Sequence, residues 1–136
     1  PFRGEAGQLL DKMLNSIDVK RENTYLTNII FWRPPGNRKP TEIEINSCLP
    51  FVKKHIELIN PNILVLVGAT AAKSIYNIQT GITQIRGKWK NIEINKLKSL
   101  KSIAIFHPAF LIKQPSRKRE AWVDLKKIKV EIDKYT

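Results

Sequence analysis

Apolar side chains recur at Leu9, Leu10, Met13, Leu14 and Ile17, the spacing of one helical face, and predict an amphipathic helix over about residues 6–15. Residues 24–31, TYLTNIIF, are β-branched and aromatic and predict a strand. The stretch that follows, 33–40, holds three prolines and a glycine, so it reads as a stiff basic loop. Thr41 with Glu44 three residues on forms a capping box, and Ile45, Leu49, Val52, Ile56 and Ile59 extend a helical face to about residue 59. Pro50 lies inside that span and is expected to kink or break it. Residues 63–67, ILVLV, form a continuous apolar run of strand length, as expected for a strand covered on both faces in a parallel sheet. Gly68 then turns the chain into an alanine-rich helix over about 69–77. Periodicity is lost from 81 to 89, and 92–100 is polar and lysine-rich, so the region reads as loop with at most one short edge strand. A second buried strand over 103–106, a loop over 107–115 and a basic helix over about 116–134 complete the pattern. Trp122, Leu125, Ile128 and Ile132 mark the inner face of that last helix, with Lys118, Arg119, Lys126 and Lys127 among its polar positions.

Strands alternating with helices predict a three-layer α/β/α sandwich with a largely parallel central sheet, whose functional groups lie on loops at strand ends. At 136 residues with 42% hydrophobic composition, residues 1–136 fit one domain with a real core. Lysine and arginine outnumber aspartate and glutamate 24 to 12, a formal charge of +12, so the protein's field attracts polyanions. A solvated basic surface would give the same count, and charge alone does not decide between the two. The single cysteine, Cys48, excludes an internal disulfide framework and cannot alone hold zinc or an iron–sulfur cluster. A reducing, cytoplasmic setting is expected. No apolar run approaches the roughly 20 residues needed to span a bilayer.

Three clusters fall at strand ends: residues 1–7, Asn28 with the proline-rich loop after it, and the loop that opens with His107 and Pro108. A histidine at the mouth of a strand, followed by a proline-stiffened loop with apolar side chains, suits a protein that pries a nucleic acid open and works on what emerges. A lone histidine is more often structural, and an asparagine near a strand end often only satisfies a turn.

Taken together, PFRGEAGQLL, TNIIFWRPPGNRKP, CLPF, PNILVLVGATAAKSI, ITQIRGKW and HPAFLIKQP resemble the family-4 branch of the uracil-DNA glycosylase superfamily, in that family's order and spacing, from residue 1 to about 126. The resemblance implies DNA base-excision repair: uracil is flipped out of DNA and its N-glycosidic bond hydrolysed. It implies that Phe2 stacks on the extruded uracil, where a flat ring is worth about 1–3 kcal/mol. Asn28 would read the base edge, its NH2 donating to O4 and its C=O accepting from N3–H, a pattern that cytosine reverses. His107 would donate to uracil O2 as negative charge moves onto the leaving base. Leu111 matches the wedge that fills the gap left by the flipped nucleotide, and Phe110 reads equally as the exposed wedge or a core anchor. Arg33, Arg38, Lys113, Arg117 and Lys118 would grip phosphates beside the lesion. Arg86 and Trp89 of the RGKW stretch read as structural, Arg86 with a place near DNA.

Two departures qualify the resemblance. The family's glycine-rich GEAPG-type motif, which positions the attacking water, and the central strand leading into it have no counterpart before Phe2, so the domain reads as partial, with its first strand missing and its own activity in question. Relatives with a 4Fe-4S cluster use four cysteines; only Cys48 has a counterpart, and Trp32 stands where another would fall, so no cofactor is expected. The implied partner is uracil-containing DNA, met by a monomer away from membranes. The alternative is a non-catalytic remnant that binds DNA or a protein through its basic face, and a third reading is a basic α/β protein with no nucleic-acid role.

Overall fold

The computed structural model describes residues 4–19 and 41–134. The strand expected over 24–31 and the basic loop over 33–40 lie outside these residues. Helix α1 (Gly4–Ser16) buries Leu10 and Met13, the stripe that the heptad-like spacing marks. Helix α2 (Glu42–Ile59) opens with the expected capping box: Thr41 N–H donates to Glu44 Oε1 at 2.8 Å, and Glu44 N–H donates to Thr41 Oγ1 at 3.2 Å. It closes at Asn60 in the left-handed conformation, φ 49°. Strand β1 (Ile63–Val67), helix α3 (Ala69–Tyr76), a single turn α4 (Ile82–Ile85), strands β2 (Lys90–Ile94) and β3 (Leu97–Ile105), helix α5 (Pro108–Lys113), a 3-10 turn (Pro115–Arg117) and helix α6 (Lys118–Asp133) follow.

The described strands form a mixed sheet of order β1-β3-β2. β1 and β3 are parallel, with Val65 opposite Ile103 and Val67 opposite Ile105, as the crossover through α3 predicts. β2 adds an antiparallel edge, Lys90 opposite Ser102 and Ile92 opposite Leu100. Side chains alternate across the sheet and build two cores. Val65, Val67, Ile103 and Ile105 face Met13, Ile17, Leu111, Leu125 and Ile128, while Leu64, Leu66, Leu100 and Ala104 face Val52, Ile56, Ala72 and Ile75. Helices thus cover both faces of the sheet, giving the α/β/α layering that the alternation of elements predicts. Phe106, Ile103 and Leu111, at 0%, 0% and 1% exposure, each contribute about 1.5–3 kcal/mol by leaving water.

Five local expectations are corrected. α2 runs through Pro50: both Pro50 and Asn46 are exposed, so the Asn46 carbonyl that lacks an i+4 donor can be hydrated. Ile59 belongs to the exposed end of that helix rather than to its buried face, at 40% exposure. The lysine-rich 92–100 stretch is the tip of a hairpin, the end of β2 and the start of β3 joined by a two-residue turn in which Asn95 adopts φ 51°, and Ile92, Ile94 and Leu100 alternate onto the core face. Residues 107–115 are largely helical, started by His107 as N-cap and Pro108 in the first turn. Trp122 points outward at 46% exposure, since Ala121, Leu125 and Ile128 already fill the inner face of α6.

Candidate functional site

The parallel strands β1 and β3 end side by side, which is where open α/β sheets place their chemistry. The Gly68 N–H donates to the Ile105 carbonyl at 2.9 Å, carrying the pairing one residue past β1 and setting Gly68 against His107. Gly68 has φ +96°, and a Cβ there would lie 3.1 Å from His107 Cβ and 3.4 Å from Cδ2. Only glycine combines that backbone with that approach.

His107 caps α5. Its Nδ1 accepts the Ala109 N–H at 3.0 Å, and its carbonyl accepts the Phe110 N–H at 3.0 Å. A nitrogen that accepts carries no proton, so neutral His107 holds its hydrogen on Nε2 and presents an N–H donor there. Burial pushes the imidazole below its ordinary pKa range. The backbone donor at Nδ1 acts in the same direction, because protonation would set N–H against N–H. The arrangement is a neutral donor at the end of a strand, locked in tautomer by a helix cap.

Beneath it, Phe106 is fully buried and stacks on Phe110 with ring centroids 4.8 Å apart. The Arg86 guanidinium lies 5.9 Å from the Phe106 centroid. Arg86 is the centre of a knot that ties α4 to α6: its Nη1 donates to Asp124 Oδ1 at 2.7 Å and its Nε to Glu120 Oε2 at 3.1 Å. Asp124 is 0% exposed, and among the described residues its Oδ2 has no hydrogen-bond partner. Its pKa is raised, foremost by burial, against the pull of Arg86 and Lys127. Next to Arg86, the Gly87 N–H donates to the Ala104 carbonyl and its carbonyl accepts from Lys127 Nζ, both at 2.8 Å. Arg86 is therefore a structural cation, and Trp89 is partly buried beneath Lys101 Nζ, 5.0 Å from its ring.

The sequence-derived candidates distribute unevenly. Phe2, Asn28, Arg33 and Arg38 lie outside the described residues. Leu111 is 1% exposed and packed in the core with Met13 and Ile105, so it does not stand out as a wedge. Phe110 is half-buried on Phe106. The exposed apolar side chain of α5 is Ile112, at 38%, which the pattern leaves unmarked because it sits among three consecutive apolar residues. Lys113 and Lys118 are exposed, while Arg117 donates to Glu120 Oε1 at 2.8 Å and is partly engaged in that pair.

Residues 1–126 match the model of the uracil DNA glycosylase superfamily. The chain belongs to that superfamily. It is 41% identical over 132 residues to the type-4 uracil-DNA glycosylase of Archaeoglobus fulgidus, covering 94% of this chain and 66% of that protein. The type-4 uracil-DNA glycosylases of Thermotoga maritima and Sulfurisphaera tokodaii are 37% and 35% identical, over 98% and 95% of this chain and 69% and 60% of theirs. The chain thus spans about two thirds of the length of these relatives. The motif around His107 falls inside the matched span, as does the Arg86 knot.

A 4Fe-4S cluster takes four cysteine thiolates. This chain supplies one, Cys48, which is buried on α2, and among the described residues no group of three or more His, Cys, Asp or Glu is placed to hold a metal. The residues of this chain do not fit such a cluster. No described helix is long and apolar enough to cross a membrane.

Proposed function

We propose that the protein removes uracil from DNA, with His107 as the donor that stabilises the departing base. The observation that carries this is the 3.0 Å bond from Ala109 N–H to His107 Nδ1, which leaves the ring a neutral Nε2–H donor. As the C1′–N1 bond breaks, its electron pair moves onto the uracil ring and charge accumulates at O2. A neutral, preorganised donor meets that charge more strongly in the transition state than in the ground state. The sugar becomes oxocarbenium-like, water adds its oxygen at C1′, and the proton it gives up passes through solvent to the uracil anion, which leaves as neutral uracil. In this reading Phe2 stacks on the flipped base and Asn28 selects uracil by its O4 and N3–H. Lys113 and Lys118, with Arg33, Arg38 and Arg117, hold phosphates. The wedge role falls to Ile112, the exposed apolar side chain of α5, and Phe110 and Leu111 anchor that helix. No cofactor takes part, and the protein acts as a monomer within the cell.

The test is uracil release from a uracil-containing oligonucleotide under single-turnover conditions. Wild type should release the base, and His107→Ala should slow release by about 10²–10³-fold, the size of effect of losing one oxyanion donor. A folded protein that binds DNA and never releases uracil would instead support a non-catalytic, DNA-binding role for the basic face.

A further inference from the structure

We infer that the outward face of α6 is a second nucleic-acid contact, one that takes an unpaired DNA strand beside the site, with Trp122 as the platform on which a base stacks. The inference rests on the reading that the protein works on DNA. At 100° per residue, Ala121, Asp124, Leu125 and Ile128 point into the molecule, and Arg119, Trp122, Val123, Lys126 and Val130 point away from it. Trp122 is 46% exposed, so its indole is largely spared from the core, and Lys126 Nζ lies 6.0 Å from its ring.

The chemistry of this face favours one occupant. Exposed Lys118, Arg119, Lys126 and Lys127 stand along α6 against the single exposed carboxylate of Asp133. Lys127 is engaged with the protein backbone, through the Gly87 carbonyl. An exposed aromatic among cations is the arrangement that binds single strands, in which base faces stack and phosphates meet side-chain charge. Duplex DNA offers phosphates but no free base face, so it would leave the indole unused. From Lys118 to Lys126 the helix rises about 12 Å, the length of three or four stacked nucleotides at about 3.4 Å each. α6 follows α5 in the chain through the 3-10 turn alone, so exposed Lys113 and Lys118 stand five residues apart in the sequence between His107 and Trp122.

The experiment compares affinity for a uracil-free, all-thymine single strand with affinity for a uracil-free duplex at one fixed salt concentration. Trp122→Ala should weaken single-strand binding by about 5- to 100-fold and duplex binding by far less, and Trp122→Phe should restore most of the loss. Indole fluorescence quenched by the single strand in wild type should lose the Trp122 share in Trp122→Phe, leaving only what Trp32 and Trp89 contribute. Circular dichroism checks that the variants fold, and Lys126→Ala serves as a second variant that touches no core residue. Equal loss for both DNA forms, unchanged single-strand binding, or no rescue by phenylalanine would each overturn the inference. So would Trp122-dependent binding to anionic phosphatidylserine vesicles with unchanged oligonucleotide affinity. Uracil release by wild type is a separate measurement, so a failed glycosylase reading and a failed α6 contact give different results.

Discussion

Gly87→Ala is expected to be among the most damaging single-methyl changes in the protein. Gly87 has φ +74°, a conformation that costs an L-residue about 1–2 kcal/mol. The added Cβ would lie 2.2 Å from Asp124 Oδ1 and 3.0 Å from Asp124 Cγ, distances at which something must move. The backbone cannot retreat easily, because the Gly87 N–H is bonded to Ala104 on β3 and its carbonyl to Lys127 on α6. The carboxylate must therefore swing, and in doing so it leaves the 2.7 Å bond to Arg86 while remaining fully buried. Breaking such a pair costs about 3–5 kcal/mol, since the stranded charge is left without its partner. Together these place the loss at about 4–7 kcal/mol, a large part of the 5–15 kcal/mol that holds a domain of this kind.

Urea denaturation measures it: the midpoint should fall by about 2–3.5 M for a slope near 2 kcal/mol/M, with the slope itself unchanged. Gly4→Ala is the control, because Gly4 has φ +64° but nothing within 4 Å of its added Cβ. It should lose only about 1–2 kcal/mol, the backbone share. Adding Asp124→Ala to Gly87→Ala opens the space, so the double variant should lose less than the two singles would together. A Gly87→Ala protein no less stable than Gly4→Ala would refute the reasoning.

Arg86→Ala should cost about 3–5 kcal/mol by leaving the Asp124 carboxylate unpaired. Because burial already holds the Asp124 pKa above its unfolded value, the folded state binds the extra proton, so this group's contribution to stability is full below pH about 3.9 and is lost as pH rises through the folded pKa; Arg86→Ala should widen that window upward, seen as a steeper fall in thermal midpoint on the alkaline side. His107 has the opposite sign: its pKa is lowered by burial, so its contribution is present above about 6.5 and lost as pH falls through the folded value, and excision should hold below pH 6.5 until the imidazole charges. An acid limb in the pH–rate profile that persists unchanged in His107→Ala would assign that limb elsewhere. Leu111→Ala should cost about 2–5 kcal/mol in urea denaturation, whereas Ile112→Ala should leave stability within about 0.5–1 kcal/mol and slow excision from duplex more than from single-stranded substrate. Equal stability losses in the two would return the wedge question to Leu111.

The layers of the fold are legible in the sequence because their signals are local. The capping box at Thr41 and Glu44, the ILVLV run and the IAIF run each name their element without help from the rest of the chain. The misread elements depend on what they pack against. A lysine-rich stretch such as KSLKSI becomes a strand because Leu100 and Ser102 meet one covered face of the sheet while Lys101 between them turns to the other, over Trp89 and paired with Glu131 on α6. Trp122 fails as a core marker for the converse reason, since hydrophobicity alone does not distinguish an indole that fills a core from one set on its rim. Within the candidate site, His107 is marked by its place between a strand and a proline. The Arg86–Asp124 knot is hidden, because its members are 38 residues apart and charged side chains carry no periodicity that predicts burial.

Capping and chemistry are the same geometry at His107. A histidine N-cap must offer an unprotonated Nδ1 to the helix, and Pro108 in the first turn removes a backbone N–H that would otherwise need an acceptor of its own. The local requirement of starting α5 thus fixes the tautomer that the proposed donation to a leaving base requires. Gly68→Ala separates the two roles. Its Cβ, 3.1 Å from His107 Cβ, presses on the ring from the β1 side without touching the bond to Ala109. The backbone change at φ +96° should cost about 1–3 kcal/mol. If the ring's placement matters to the chemistry, the single-turnover rate should fall by more than 10-fold, while saturating substrate restores none of the loss. A variant that excises uracil at the wild-type rate, though destabilised by that amount, would show that α5 needs His107 as a cap and that the reaction does not depend on where Gly68 lets it sit.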